Sequence, residues 1–299
     1  MTTDENTQKP AEETARPFPS WSDLLAFLGI FLLCTLAGGL LIAPLMKLSG
    51  SVPEQAAAFA GYSVQFALTI ALTLMYRRSR GGKGKLFRFS MKWFNAALIL
   101  WGVVLVFLIG IVIEPLLDIF PDSYMELLNN AIGQGGWAVA TAVIAAPIME
   151  EMLFRGIVLE SVRSRFGSCR AILISAAAFG LVHIIPQQVI NAFLVGIVLG
   201  FIYVRTESLI SVIILHAVNN ALAYLQTTVF GQQELSVKEL TGGGTLYWVI
   251  YGISAAVCIL ALIQLIRYAA KSETAPAAKD NNSVANDVDN RYNTTKKKI

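Results

Sequence analysis

The sequence predicts an all-α, polytopic transmembrane bundle of about eight spans with both termini cytoplasmic. Three observations lead there. The 299 residues are 55% hydrophobic and only 14% charged, against about 25% charged in a soluble domain. Long apolar runs recur along the chain, each near the roughly 20 residues that a membrane helix needs. Lysine and arginine concentrate in alternate loops, which is the mark of cytoplasmic segments. Open sheets leave backbone groups unpaired in lipid, and barrels need short alternating strands, so runs of this length form helices. A net charge of +3 creates no general field for nucleic acid, and none is expected as a partner.

In chain order the expected spans are 22–46, 55–76, 93–117, 135–161, 169–186, 188–204, 207–228 and 245–267. The polar stretch 1–20 reads as a cytoplasmic tail. No cleaved signal peptide is expected, because the apolar run from Trp21 is long enough to be retained as a helix. The transmembrane domain covers 21–268, with its functional core at about 135–225, and 269–299 reads as a disordered cytoplasmic tail. Segment 121–133 is expected to be a short interfacial helix. Basic residues follow the second span (Arg77, Arg78, Arg80, Lys83, Lys85, Arg88, Lys92), the fourth (Arg163, Arg165, Arg170) and the sixth (Arg205). These segments and the basic C-terminal tail all fall on one side if the spans number eight with both termini cytoplasmic. Gly196 and Gly200 form a G-x-x-x-G, read as close helix packing. Cys34, Cys169 and Cys258 stand apart, which favours neither a disulfide framework nor a thiol metal site.

Ionisable residues inside a span are expensive and face the bundle interior or a wet cavity. The fourth span holds Pro147, then Glu150, Glu151 and Arg155. Glu151 and Arg155 are spaced i,i+4 and can pair on one face. Glu150 is rotated about 100° away, and Pro147 can loosen the preceding turn. Both histidines of the chain, His183 and His216, also fall in spans, and His216 shares a face with Asn220. At 1.5 Å rise per residue, Glu151, His183 and His216 lie roughly 18, 21 and 14 Å from the basic ends of their helices. Three helices therefore bring acid, base and amide groups to similar depth in a hydrocarbon layer about 30 Å thick.

Glu150-Glu151-x-x-x-Arg155, Phe179-x-x-x-His183 and His216-x-x-x-Asn220 resemble, in that order, the three motifs of the CAAX prenyl endopeptidase family. This is the type II CAAX protease group, also called CPBP or Abi. The resemblance covers about residues 135–225. It implies a helical intramembrane endopeptidase with a water-accessible cavity, acting on a membrane-associated or lipidated protein in a multi-pass membrane setting, the plasma membrane in a prokaryote. Eukaryotic members remove the last three residues of prenylated proteins, and some prokaryotic members are linked to bacteriocin immunity or maturation.

Peptide hydrolysis needs an activated water, a stabilised oxyanion and a proton for the leaving amine. With no serine or cysteine nucleophile beside the motifs, water activated by Glu150 is the economical route. His183 would orient that water, His216 and Asn220 would donate to the oxyanion, and Glu151, Arg155 and Phe179 would support them. A rival is a zinc site built from Glu150, His183 and His216, since two histidines and a glutamate form a known catalytic ligand set. The other function class is a non-catalytic membrane-binding or immunity protein, which would not need the acid–base cluster. A transporter is disfavoured by the lack of repeated halves and matched broken helices.

Overall fold

A computed structural model of the chain describes residues 17–49, 52–90, 96–121, 135–229 and 236–274. The expected interfacial helix, apart from residue 121, and most of both expected tails lie outside the described residues. Lys92 of the basic cluster does too.

The helices are α1 Trp21–Ser49, α2 Glu54–Ser79 and α3 Ala96–Leu117, followed by a continuous helical run over 136–181. Gly167, at φ 80°, bends this run into α4 (136–166) and α5 (168–181). Then come α6 Pro186–Thr206, α7 Leu209–Val229, the short α8 Val237–Thr241 and α9 Thr245–Thr274. Among the described residues the only β pairing is an isolated bridge between Phe89 and Ser208.

Side-chain contacts define two ends of the bundle. At one end Asp23 of α1 accepts from Tyr76 and Arg80 at 2.8 Å each. Arg88 meets Glu160 and Glu207 at the same end, and Arg165 donates to the carbonyl of Pro17. At the other end Glu114 accepts from the backbone of Val237 and Lys238, Gln187 donates to Pro121, and Tyr224 bonds Gly135. The basic clusters thus gather at one end, as the charge pattern requires. Many large apolar side chains face outward, among them Leu25, Leu33, Leu36 and Leu40, as expected where the solvent is lipid.

Among the described residues six helices are long and apolar enough to cross a membrane: 21–40 of α1, α2, α3, α6, 209–226 of α7 and 245–268 of α9. The chain is an integral membrane protein of all-α, polytopic form. The fourth and fifth expected spans fall outside these six because 136–159 alternates between short α and π stretches and α5 is short. Here α4 carries charges and is wrapped by protein, every residue from Leu153 to Val162 being buried. A helix enclosed by other helices need not be lipophilic, which is how a bundle accommodates ionisable groups at depth. The main core lies between these helices and α6, with Leu159, Leu199, Ile202, Leu209, Val212 and Leu215 fully buried. The G-x-x-x-G serves close packing. A Cβ on Gly196 would lie 3.1 Å from Ala176, and one on Gly200 would lie 3.2 Å from Ile172.

Candidate active site

The site is built on an irregular helix. In α4 a π-helical stretch, Ala140–Ala145, precedes an α-helical one, Ala146–Glu151, and a second π stretch, Met152–Leu159, follows. Pro147 has no N–H to return to the turn before it, and the helix widens there, as the sequence suggested. Single π turns concentrate at functional sites because they re-aim side chains. The second π stretch is tied to α5 by Ser175, whose hydroxyl donates to the Phe154 carbonyl at 2.8 Å.

This backbone aims the two adjacent carboxylates at one imidazole. Glu151 is fully buried, and its Oε1 accepts from Arg155 Nη1 at 2.7 Å and faces His216 Nδ1 at 2.8 Å. Glu150 is less enclosed, with 12% of its side chain exposed, and its Oε2 lies 3.8 Å from His216 Nε2. The two carboxylates therefore bracket the two nitrogens of one ring. A carboxylate is an acceptor only, so the short contact to Glu151 assigns the Nδ1 proton of His216 to that side. Arg155, also fully buried, donates from Nη2 to the carbonyl of Gly196 at 3.1 Å and lies over the Phe179 ring at 4.7 Å.

Phe179 is the hub of the remaining contacts. Its ring is edge-to-face with His183 at 5.0 Å, with His216 at 5.5 Å and with Phe154 at 5.3 Å. The His183 Nδ1 lies 2.7 Å from the Phe179 carbonyl, which can only accept, so Nδ1 carries the proton and a neutral ring offers Nε2 as an acceptor. His183 is not inside a span as expected. It lies in the turn after α5, next to Ile184 in the left-handed region (φ 65°) and just before Pro186. The tip of the α5–α6 hairpin thus delivers it to the site.

Asn220 is anchored to backbone and to its neighbour. Its amide donates to the carbonyl of Ala142 in the first π stretch at 2.8 Å, and its oxygen accepts from Asn219. This bond leaves one amide N–H uncommitted to Ala142.

One residue was missed by sequence reasoning. The Tyr62 hydroxyl, from α2, donates to Glu150 Oε1 at 2.7 Å. A lone tyrosine in an apolar helix carries no pattern that would single it out.

Residues 133–222 match the family model of the type II CAAX prenyl endopeptidase Rce1-like proteins. This segment is similar to CAAX-type intramembrane protease domains. No curated protein and no solved structure matches the chain. The matched segment contains Glu150, Glu151, Arg155, Phe179, His183, His216 and Asn220 but not Tyr62, which comes from α2 outside it.

A metal would draw its donors from Glu150, His183 and His216. Both Nδ1 atoms are turned to acceptors, the arrangement that orients a ligating histidine. Yet no three His, Cys, Asp or Glu side chains among the described residues are placed to hold an ion together. One Glu150 oxygen is taken by Tyr62 and the other faces His216. As arranged, these residues do not fit a metal.

Proposed function

We propose that the protein is an endopeptidase that hydrolyses a peptide bond of a lipidated or otherwise membrane-associated protein, with water activated by Glu150. The observation that carries this reading is the pairing of a less enclosed carboxylate, Glu150, with a sealed one, Glu151, across His216. Glu151 already serves Arg155 and His216 and is shut from water, so it positions the imidazole. Glu150 is the carboxylate that water can reach.

In this reading Glu150 takes a proton from water as the oxygen attacks the scissile carbonyl, and the acceptor Nε2 of neutral His183 aligns that water. With Nδ1–H committed to Glu151, protonated His216 turns Nε2–H toward the developing oxyanion, and the remaining N–H of Asn220 assists. Glu150 then delivers its proton to the leaving amine, so the same carboxyl serves as base and acid. Donors fixed in place beforehand stabilise developing charge without reorganising. A prenylated protein tail is the substrate class suggested by the family, and the plasma membrane is the proposed location if the protein is prokaryotic.

The test is a reconstituted protein given a prenylated CAAX peptide, with mass spectrometry of the released tripeptide. Glu150→Gln should remove cleavage by about 10²–10⁴-fold while leaving the fold intact. If Glu150→Gln cleaves at the wild-type rate, the mechanism is wrong. If wild type cuts neither this peptide nor any membrane protein of a null strain, the non-catalytic binding reading takes its place.

A further inference from the structure

The basic end of the bundle contains a hollow that the protease reading does not use. Its cavity is about 310 Å³ and is lined by Arg77, Lys83, Lys85, Arg88 and Arg163, with Glu160 as the carboxylate in the wall. Five cations thus face one carboxylate. Glu207, just outside the lining, engages Arg88 and Arg163, and still leaves a clear positive excess. Arg77 is spent on the protein itself, donating to Ser161 and to the carbonyls of Lys83 and Gly84. The ammonium groups of Lys83 and Lys85 have no partner among the described residues, and both residues are exposed.

The hollow is preformed. Its outer wall is the strap 80–90, which closes over the helix ends instead of trailing into solvent. The strap is pinned by Phe87, whose ring sits where a Cβ on Gly156 would come within 2.7 Å of it. Phe87 takes φ 50°, a left-handed conformation that a bulky residue adopts only when its surroundings impose it. The next residues join the base of α7, with Leu209 N donating to the Arg88 carbonyl at 2.7 Å and Phe89 bridged to Ser208. A topology signal needs positive charge in a loop. It does not need a pinned, hollow strap with two uncommitted ammonium groups at its mouth.

We infer that this pocket binds a phosphate group carrying net negative charge, with Lys83 and Lys85 as its direct partners and Arg88 and Arg163 setting the field behind them. The pocket lies where α2 ends, at Ser79, at the end of the bundle where the basic clusters gather, which is where positive-inside topology places the membrane surface. An anionic lipid and a soluble phosphate ester offer the same chemistry, and the experiment separates them.

Full-length protein is placed in phosphatidylcholine nanodiscs, with or without phosphatidic acid, and separately with inorganic phosphate in the buffer. The readouts are the thermal midpoint and the lipid retained in native mass spectrometry. Wild type should be stabilised by phosphatidic acid and retain it. The K83Q/K85Q double variant should lose that retention by roughly tenfold or more, while R170Q, an exposed charge outside the pocket, should keep it. An equal shift with inorganic phosphate, lost in the double variant, assigns the pocket to a soluble phosphate. No shift with either anion overturns the inference, as does a shift of the same size in K83Q/K85Q.

Discussion

The Tyr62 hydroxyl donates to the Glu150 carboxylate at 2.7 Å across 88 positions of chain. This bond fixes one Glu150 oxygen and leaves the other toward His216. Hydrogen bonds to charged groups contribute about 1.5–3 kcal/mol. Tyr62→Phe removes the bond and keeps the ring against Phe66, its neighbour at 4.7 Å. The expected result is a fall in kcat of roughly ten- to a hundredfold with KM and thermal midpoint nearly unchanged. A packing role alone, which the retained ring preserves, would leave both kcat and midpoint near wild type.

The Glu151–Arg155 pair has neither side chain exposed. Removing one partner of such a pair strands a buried charge and costs about 3–5 kcal/mol, whereas removing both costs much less. Arg155→Met should therefore lower the unfolding midpoint in detergent more than the double substitution Glu151→Gln with Arg155→Met. All of these variants should be inactive, since His216 loses its fixed orientation, so stability is the informative readout. Equal or additive losses would show that the pair is not coupled.

Why the sequence revealed one half of the site and not the other follows from the range of each interaction. Glu151 with Arg155 was legible because an i,i+4 spacing dictates a shared face. That His216 would join them rested on depth and motif order, and the structure brings it to both carboxylates. Tyr62 was illegible because its partner lies on another helix and no local periodicity links them. The π stretches were illegible in extent, since α and π turns use the same residues, although Pro147 marked where the helix would loosen. The placement of His183 in a turn had a signal in Pro186, which disfavours helical conformation in the residue before it and commonly opens a helix.

Gly180 supplies a test of how finely His183 is positioned. It is buried one turn before His183, and a Cβ there would lie 2.8 Å from the backbone carbonyl of Val189 and 3.1 Å from Phe193 Cβ. A backbone oxygen on a neighbouring helix cannot swing aside as a side-chain tip can. Gly180→Ala should push the α5 end away from α6 and cost about 1–3 kcal/mol, as overpacking does. Because His183 rides on that helix end, activity should fall well beyond what the lost stability explains at a temperature where the variant remains folded. Full activity in a folded Gly180→Ala protein would show that the hairpin tip tolerates movement.

The last prediction concerns metal dependence. A zinc site from Glu150, His183 and His216 requires three donors converging at about 2.0–2.2 Å from one point. In the folded protein Glu150 is engaged by Tyr62 on one oxygen and faces His216 at 3.8 Å with the other. His183 stands on its own turn against Phe179. Drawing these groups onto an ion would require His183 Nε2, His216 Nε2 and a Glu150 oxygen to converge on one point, which no three such donors among the described residues do. Purified protein stripped with a chelator and checked by elemental analysis should therefore keep its peptidase rate, and Tyr62→Phe should not raise its zinc content. If activity disappears with the metal and returns on adding stoichiometric zinc, the carboxylate–water mechanism must yield to one in which Tyr62 releases Glu150 on metal binding.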